Sequence, residues 1–368
     1  MSFYERLGVR RVINAAGKMT ALGGSAVSPE VASAMADAAQ SHVELEELMI
    51  KAGKYMARLI GAEDAVPTTG AAAGIAISVA ACIAGTDLGK ISKLPQSSGK
   101  NRIVLMKGHA VNFGAPVASM IRLGGGVPVE VGEANSCGRA QIEDALTDDT
   151  AAFLYVKSHH AVQKGVVSLE ECIDLAHKRG IPIIVDAAAE EDLKKYPAMG
   201  IDLTCFSGGK AILGPTSGLI CGKAGLIAAC RAQYQGIGRP MKVGKEAIVG
   251  LVSALEAYGG VNPERAAALL KKAEYIRDGL QGIPGLQVSI VQDEAGRAIY
   301  RTEVKVDEST AKVTAKQAIR LLEKGDPAVF TRNHYANVGI ILVDPRPLRD
   351  GEEDVVVNRL REVFTRGE

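Results

Sequence analysis

Short apolar runs recur along the first two thirds of the chain, and stretches with helical periodicity separate them. The runs cover residues 102–106, 127–131, 151–156 and 183–186, and a further run ends at Ser207. Runs of this length between turn residues are typical of strands buried on both faces of a parallel sheet. Because strands alternate with helices, the pattern predicts an α/β fold with a mostly parallel, doubly wound sheet and right-handed crossovers.

The periodic stretches carry recognisable helix start signals. Ser28 precedes Pro29, which combines an N-cap hydroxyl with proline at the first helical position. Ser168 is predicted to cap a helix that runs to about Arg179, and residues 45–61 place apolar side chains on one helical face. These helices supply the long connections that parallel strands require.

The pattern changes at about residue 244, where a long helical stretch begins. Strand and helix patterns then mix, which predicts a smaller α+β domain; the strands are expected at 286–291, 300–306 and 339–343, and the helices at 264–282, 314–324 and 353–365. The predicted divisions are an N-terminal segment that packs near the functional site and the small domain, a large domain, and a small C-terminal domain: 1–40, 41–243 and 244–368.

Two ionisable side chains stand where predicted strands end. Asp186 ends the run at 183–186, and Lys210 follows the run that ends at Ser207. In an open α/β sheet, ligands bind beyond the carboxyl ends of the strands. A carboxylate that can pair a pyridinium nitrogen and an amine that can form a Schiff base are what pyridoxal 5′-phosphate (PLP) requires. Taken alone, an acidic strand end and a surface lysine remain the simpler interpretation.

The sequence Thr68-Thr69-Gly70-Ala71 joins a short predicted strand to an alanine-rich helix that ends near Gly85. Small residues let the backbone approach an anion, and a helix N-terminus offers free N–H groups and the positive end of the helix dipole. The pattern favours a monophosphate site, because it contains neither a G-x-G-x-x-G fingerprint nor a Walker Gly-Lys-Ser/Thr. A tightly packed helix start is the alternative interpretation.

Histidines follow two of the predicted strands. His109 comes after residues 102–106, where a flat ring could stack on a cofactor ring; capping of the next helix is the alternative. His159, His160 and Gln163 lie in a polar loop after a later strand, which places them at the rim of the site. A zinc site in this loop is disfavoured, because the two histidines are adjacent and no cysteine or carboxylate stands at ligand spacing.

Composition narrows the class of protein. The net charge is +1 and no basic tail or patch occurs, so nucleic acid is not a predicted partner. The 368 residues include 41 glycines, which fits a tightly packed α/β enzyme of two domains. The six cysteines lack metal-ligand spacing and are typical of reduced core residues in a cytoplasmic protein. Neither a signal core nor a stretch of transmembrane length is found, so no membrane contact is expected.

Together these residues resemble the fold-type-I PLP enzymes, in which a glycine/alanine phosphate loop, a ring-stacking residue, an Asp and a Ser-x-x-Lys follow one another. The chain is more narrowly similar to the bacterial selenocysteine synthase-like family. The shared traits are the opening Val-Ile-Asn-Ala-Ala-Gly, the stretch from Phe206 through Lys210 to Gly222, and a segment with Ala-Asn that begins at Arg332. The extra N-terminal tRNA-binding domain of true selenocysteine synthases is not expected, because the similarity begins at about residue 4.

The resemblance implies an aspartate-aminotransferase-like PLP fold type I and a role for each candidate residue. Lys210 would hold PLP and act as the catalytic base. Asp186 would keep the nitrogen of the PLP ring protonated. Ala188 and His109 would lie against the two opposite faces of that ring. The residues implied for the cofactor phosphate are Thr69, Gly70, Ala71 and Ser207. Arg332 would pair the substrate carboxylate; the other substrate-binding candidates are His159, Gln163, Arg239 and Lys242. No metal ligand is implied.

Within the family, the chain is most similar to the D-glucosaminate-6-phosphate ammonia-lyases. This similarity implies removal of ammonia from a small anionic sugar-acid phosphate, giving 2-keto-3-deoxy-6-phosphogluconate. It also implies a homo-oligomer built from dimers with shared active sites. A selenocysteine synthase-like transferase, a PLP lyase for serine or cysteine, and an inactive PLP-binding homologue are the alternatives.

Overall fold

The computed structural model describes residues 2–293 and 296–367. Strands β1 to β12, in chain order, are Val12–Ala15, Asp64–Thr68, Arg102–Met106, Val127–Val131, Thr150–Val156, Ile183–Asp186, Leu203–Ser207, Gly218–Gly222, Leu286–Gln292, Tyr300–Val306, Ala328–Thr331 and Ile340–Val343. Helices α1 to α14 are Phe3–Arg6, Pro29–Gln40, Leu45–Ile60, Ala71–Ala84, Leu88–Ile91, Val117–Leu123, Arg139–Ala145, Leu169–Lys178, Lys195–Ala198, Ala224–Ala232, Lys245–Tyr258, Pro263–Leu280, Ala315–Lys324 and Glu352–Arg366. Short 3-10 helices are Thr20–Leu22, Lys107–His109, Gln233–Gln235, Arg239–Met241 and Ala336–Val338.

The helix starts confirm the capping signals in the sequence. The Ser28 hydroxyl accepts a hydrogen bond from the N–H of Val31 at the start of α2, and Pro29 is the first helical residue. The Ser168 hydroxyl does the same for Glu171 in α8, and the Glu171 side chain bonds back to the N–H of Ser168. Each such cap satisfies a donor that the helix leaves unpaired, which is worth about 1 kcal/mol.

The larger sheet has the order β2-β8-β7-β6-β5-β3-β4. Its strands pair in parallel except β8, which is antiparallel to both β2 and β7. The predicted mostly parallel sheet is therefore confirmed. The carboxyl ends of β2, β7, β6, β5 and β3 meet at one edge, because all of these strands run in the same direction.

Neighbouring residues of one strand face two different cores. Phe153 and Val185 pack into the core on one face of the sheet, and Leu154 and Ile184 pack into the core on the other. All four side chains are 0% exposed, and burying each contributes about 1.5–3 kcal/mol. Burial on both faces explains why the strands appear in the sequence as continuous apolar runs, and it confirms the doubly wound arrangement.

The chain divides into two compact units, Ser25–Val261 and Met1–Gly24 together with Asn262–Glu368. These boundaries differ from the predicted ones at residues 40 and 243. Helix α11 belongs to the larger unit, because it packs along α2 and α3. Strand β1 belongs to the smaller unit, because it pairs in parallel with β11 over Val12–Ala15.

The smaller unit is an α+β structure. Strands β12, β10 and β9 form an antiparallel sheet, and β1 and β11 form a separate pair. Helices α12, α13 and α14 bury Ile276, Leu322 and Leu360 in a core with Val304 of β10. Strand β11 was not predicted from the sequence, whereas the other elements of this unit lie close to their predicted bounds. Within the described ranges, none of the helices combines the length and apolarity that crossing a membrane demands.

Candidate active site

The carboxyl edge of the larger sheet collects most of the predicted site residues. Gly218 of β8 lies opposite Ser207 of β7 on one side and opposite Thr68 of β2 on the other. Asp186 ends the neighbouring strand β6 and lies opposite Val156 of β5 and Cys205 of β7. The strand order therefore places the Asp186 carboxylate, the turn after Ser207 and the start of α4 along one row of strand ends.

The backbone at the start of α4 is the cradle in which the sequence predicts an anion. Gly70 is the N-cap residue and supplies no side-chain cap to the helix, and the Thr68 hydroxyl donates to the Gly70 carbonyl at 3.0 Å. A Cβ on Gly218 would lie 2.8 Å from the Gly70 carbonyl carbon and 2.9 Å from Thr68 Oγ1. Glycine at 218 therefore permits this approach. Thr69 and Gly70 are half-buried and Ala71 is buried.

Asp186 is a buried carboxylate at the centre of this edge. The residue is 6% exposed, and its Oδ1 accepts a hydrogen bond from the N–H of Ala188 at 3.1 Å. Burial raises the pKa of Asp186 above its ordinary value, whereas the charge of Lys210 and the Ala188 N–H act in the opposite direction. A cationic partner that replaces water would stabilise this carboxylate further.

Lys210 lies in a tight turn after β7. Its N–H donates to the Ser207 carbonyl at 3.4 Å, and its own carbonyl accepts from Leu213 at 3.2 Å. Leu213 has φ +61°, and it is the non-glycine residue with positive φ in the described ranges. A side chain in the left-handed region costs of order 1–3 kcal/mol and persists where the surroundings over-determine it, as at functional turns. The half-buried Lys210 is thus presented from a strained turn beside Asp186.

The structure places His109 directly after β3, as the sequence indicates, but buries its ring. Its side chain is 0% exposed, its Nδ1 accepts from the Val156 N–H at 3.1 Å, and its Nε2 donates to the Val162 carbonyl at 3.0 Å. Burial lowers the pKa of His109 to about 4, so the ring is neutral near pH 7. A ring without an exposed face offers no stacking surface in this conformation. His109 instead ties the turn after β3 to β5 and to the loop at 157–165.

The loop at 157–165 lies at the same edge, as predicted. The Lys157 N–H donates to the Asp186 carbonyl at 2.8 Å, and its Nζ donates to Gln163 Oε1 at 2.9 Å. His159 is half-buried, and its ring lies 3.9 Å from the ring of His160. Among residues 2–293 and 296–367, no group of three His, Cys, Asp or Glu side chains is arranged to hold a metal ion.

Arg239 and Lys242 are exposed and lie in a turn that is attached to the other end of α4. Gln233 Nε2 donates to the carbonyl of Gly85, the C-cap of α4, and Gln233 O accepts from Gly238 N–H. The 14 residues of α4 span about 20 Å. The turn is therefore tied to the end of α4 opposite the cradle, and the hydroxyl of Tyr234 also donates to the Pro67 carbonyl of β2 at 3.1 Å.

Arg332 follows β11 and belongs to the smaller unit, whereas the other candidate site residues belong to the larger unit. It is half-buried, and its backbone exchanges two hydrogen bonds with Leu342. The described residues give its guanidinium neither a salt bridge nor a side-chain hydrogen bond. Burial lowers the pKa of Arg332, and the charges of Arg301 and Arg346 lower it further, against the opposing effect of Asp344 and Asp293.

Three residues of the site received no specific role from the sequence, although Thr68 belongs to the predicted phosphate motif and Lys157 to the predicted rim loop. Thr68 and Gly218 build the cradle, and Lys157 fixes the strand end of Asp186 through its backbone. The run Gly214-Pro-Thr-Ser-Gly218 carried a signal for a glycine at a close approach, because glycine at a strand start often marks one. The Thr68 hydroxyl and the Lys157 N–H each donate to a backbone carbonyl, and such contacts leave no such signal in the sequence.

A family model described as SelA: L-seryl-tRNA selenium transferase matches residues 12–318. The chain belongs to this family. D-glucosaminate-6-phosphate ammonia lyase of Salmonella typhimurium is 47% identical over 98% of this chain and 98% of its own length. A 5'-C-glycyluridine monooxygenase-decarboxylase of a Streptomyces species is 46% identical, over 98% of this chain and 92% of its own length.

The solved structure of D-glucosaminate-6-phosphate ammonia-lyase superposes with a TM-score of 0.90 at 48% identity, and covers 99% of this chain and 98% of the other. Solved aminotransferases whose sequences are much less identical to this chain share only the fold with it. The predicted aspartate-aminotransferase-like PLP fold type I is therefore confirmed, as is the predicted relationship to the selenocysteine synthase-like family.

The cofactor of this family and fold type is PLP, and the residues of the larger unit fit it. The start of α4 lacks a side-chain cap and can receive the phosphate. A protonated ring nitrogen would place a cation beside Asp186 and so offset the burial that raises the pKa of this carboxyl. The Lys210 amine lies within electrostatic range of Asp186 and can bind the aldehyde carbon. Bound PLP would withdraw electrons from a substrate carbon that loses a proton.

Proposed function

We propose that this protein is a PLP-dependent ammonia-lyase that converts D-glucosaminate 6-phosphate to 2-keto-3-deoxy-6-phosphogluconate and ammonia. The observation that carries the proposal is the full-length 47% identity to an ammonia lyase of that substrate. The row of Asp186, Lys210 and the α4 cradle supports it, because α,β-elimination needs a base at Cα and an electron sink beside it.

Each side chain has a defined task in the proposed reaction. Lys210 removes the Cα proton and returns a proton to the departing C3 hydroxyl, which leaves as water. Asp186 keeps a positive charge on the ring nitrogen, and the N–H groups at the start of α4 hold the cofactor phosphate. Arg332 pairs the substrate carboxylate in a bidentate contact, which orients the Cα–H bond. Water then replaces the amine and releases ammonia.

The second relative supports a different reaction on the same scaffold. Its name describes a monooxygenase-decarboxylase that acts on 5'-C-glycyluridine, and its identity to this chain is 46%. Such a reaction consumes O₂ and releases CO₂, whereas the elimination requires neither. Oxygen dependence therefore separates the two candidates without reference to their shared residues.

The deciding experiment supplies D-glucosaminate 6-phosphate to the PLP-loaded enzyme in air and under nitrogen, and measures ammonia, keto acid and CO₂. We expect equal amounts of ammonia and keto acid at the same rate in both gases. Removal of the substrate phosphate is expected to lower kcat/KM about 10- to 1000-fold, because charge-assisted contacts to a remote group can be used for orientation. Equal use of D-glucosaminate or serine would refute the substrate. O₂-dependent CO₂ release from 5'-C-glycyluridine would favour the other candidate.

We further propose a homo-oligomer built from dimers, in which Arg239 and Lys242 reach the active site of the neighbouring subunit. Their exposure in a turn that is tied to the far end of α4 supports this. Two-fold dimers are also the commonest assembly. Chains with Lys210→Ala mixed with chains with Arg239→Ala and Lys242→Ala are expected to regain activity that neither variant has alone. A fully active monomer in sedimentation would contradict the shared site.

The relation of the protein to nucleic acid and its location in the cell are two further proposals. We propose that the enzyme binds no nucleic acid, which the net charge of +1 supports, and that it acts in the cytoplasm, which the free cysteines support. A mobility shift with tRNA at micromolar protein would contradict this and favour the transferase alternative.

A further inference from the structure

A buried chain of charges crosses the sheet of the smaller unit beside Arg332. Arg346 contacts both oxygens of Asp344, through Nε at 2.9 Å to Oδ1 and through Nη2 at 2.7 Å to Oδ2. Arg301 joins Asp344, through Nε at 2.9 Å, to Asp293, through Nη1 at 3.1 Å. Arg297 then holds Asp293 in a bidentate contact at 2.8 and 3.1 Å.

The Asp344 carboxylate of this network is fully engaged. The Asp344 side chain is 0% exposed and accepts from four N–H groups: the backbone, Nε and Nη2 of Arg346, and Nε of Arg301. A carboxylate has about four lone-pair sites, so Asp344 has no site left for a further arginine. Asp344 is held ionised, because Arg346 and Arg301 lower its pKa against the effect of burial.

Arg332 lies where it would pair with Asp344 if that carboxylate were free. Its backbone partner across the antiparallel bridge is Leu342, two residues before Asp344, so both side chains lie on the same face. Diagonal neighbours of this kind have Cα atoms about 7–8 Å apart, which long side chains bridge. The structure nevertheless gives Arg332 no salt bridge among the described residues, and it remains half-buried.

We propose that Arg346 and Arg301 are positioning residues that saturate Asp344 and so keep Arg332 unpaired for the carboxylate of the substrate. In this arrangement Asp344 competes with the substrate carboxylate for Arg332, and Arg301 and Arg346 prevent this by occupying the Asp344 oxygens. The inference rests on the proposed function, because Arg332 is the residue assigned there to the substrate carboxylate.

The signs of the charges around Arg332 agree with this arrangement. Arg301 and Arg346 act on Arg332 as repelling charges, and Asp344 acts as an attracting one. Loss of Arg346 would remove one repelling charge and free hydrogen-bonding sites on the buried Asp344 carboxylate, so that Arg332 turns to this carboxylate. Loss of Asp344 together with Arg346 would remove the competitor and the residue that restrains it.

Two ligands that differ only at the carboxylate test the proposal by binding rather than by turnover. Gluconate 6-phosphate carries a carboxylate and glucitol 6-phosphate carries a hydroxymethyl group in its place, and neither has the reactive amine. Calorimetric titration of the PLP-loaded enzyme is expected to show a preference for gluconate 6-phosphate that Arg332→Ala abolishes. Arg346→Gln should reduce this preference roughly tenfold to a hundredfold, the worth of a charge-assisted contact.

The deciding measurement uses the double variant Arg346→Gln with Asp344→Asn, which removes both charges of a buried ion pair together. It is expected to restore the preference to within about threefold of the wild type, although Arg346 is still absent. A general loss of positive charge is controlled by Arg366→Gln, an exposed position in the same unit that should leave the preference unchanged.

Each other outcome overturns the inference. If the double variant stays as weak as Arg346→Gln, Arg346 contacts the substrate itself and does not act through Asp344. If Arg346→Gln keeps the full preference, Asp344 is not a competitor. If the wild type shows no preference and Arg332→Ala changes nothing, the carboxylate role of Arg332 in the proposed function fails, and the inference fails with it.

Discussion

Replacement of Lys210 by alanine is expected to remove the visible absorbance of the bound cofactor and to lower kcat at least about a thousandfold. The side chain has two proposed tasks, covalent attachment of PLP and proton transfer at Cα, and alanine performs neither. The buried Asp186 beside it and the strained turn that ends at Leu213 support this assignment. Absorbance spectra and steady-state kinetics of the PLP-saturated variant give both measurements.

The control for this variant is Lys223→Ala. Lys223 is an exposed lysine that pairs with Glu63 at the opposite end of β8, so its loss should leave the spectrum and kcat unchanged. A small primary amine added to Lys210→Ala should restore part of the activity, because it supplies the missing base. Lys210→Ala with an unchanged spectrum and kcat would refute both the cofactor attachment and the lyase mechanism.

The larger sheet was predictable because its strands carry their own signal. A strand buried on both faces must be apolar at successive positions, and Ile183 to Val185 are 0% exposed for that reason. Asp186 then marks the point where the apolar run meets the ligand edge. The sequence pattern therefore located the Asp186 carboxylate and the Lys210 amine at strand ends, although it could not give the register that aligns Ser207 with Gly218 and Thr68.

Long-range packing decided the features that the pattern did not predict. Helix α11 follows the change in composition near residue 244, yet its partners are α2 and α3, more than 180 residues earlier in the chain. His109 has the expected position after β3, but its two ring nitrogens bond to the backbone of β5 and of the following loop. Contacts between distant segments leave no local signal, so neither outcome could be read from spacing.

The arginines of the smaller unit illustrate the same limit at the site. Arg332 was assigned by resemblance, whereas Arg301, Asp344 and Arg346 had no assignment. Their network depends on the antiparallel register that pairs Thr302 with Val343. A sequence pattern gives the alternation along each strand but not which residues lie opposite one another.

Replacement of Asp186 by asparagine is expected to lower kcat about a hundredfold or more while PLP still binds. Asparagine has nearly the same shape and can keep the hydrogen bond from the Ala188 N–H. It carries no charge, however, so it cannot hold the ring nitrogen protonated, and the electron sink at Cα is lost. Titration with PLP and steady-state kinetics measure the two effects separately.

The thermal stability of Asp186→Asn provides a second test, because a structural carboxylate and a catalytic carboxylate predict opposite changes in Tm. Burial raises the pKa of Asp186, which means that the folded protein without cofactor disfavours its charged form at pH 7. Removal of the charge should therefore leave the Tm of the cofactor-free protein unchanged or higher. Asp192→Asn, at an exposed carboxylate after the same strand, is the matched control and should retain kcat. If Asp186→Asn instead lowers the Tm and keeps kcat within about threefold of the wild type, Asp186 is a structural residue and the proposed mechanism fails.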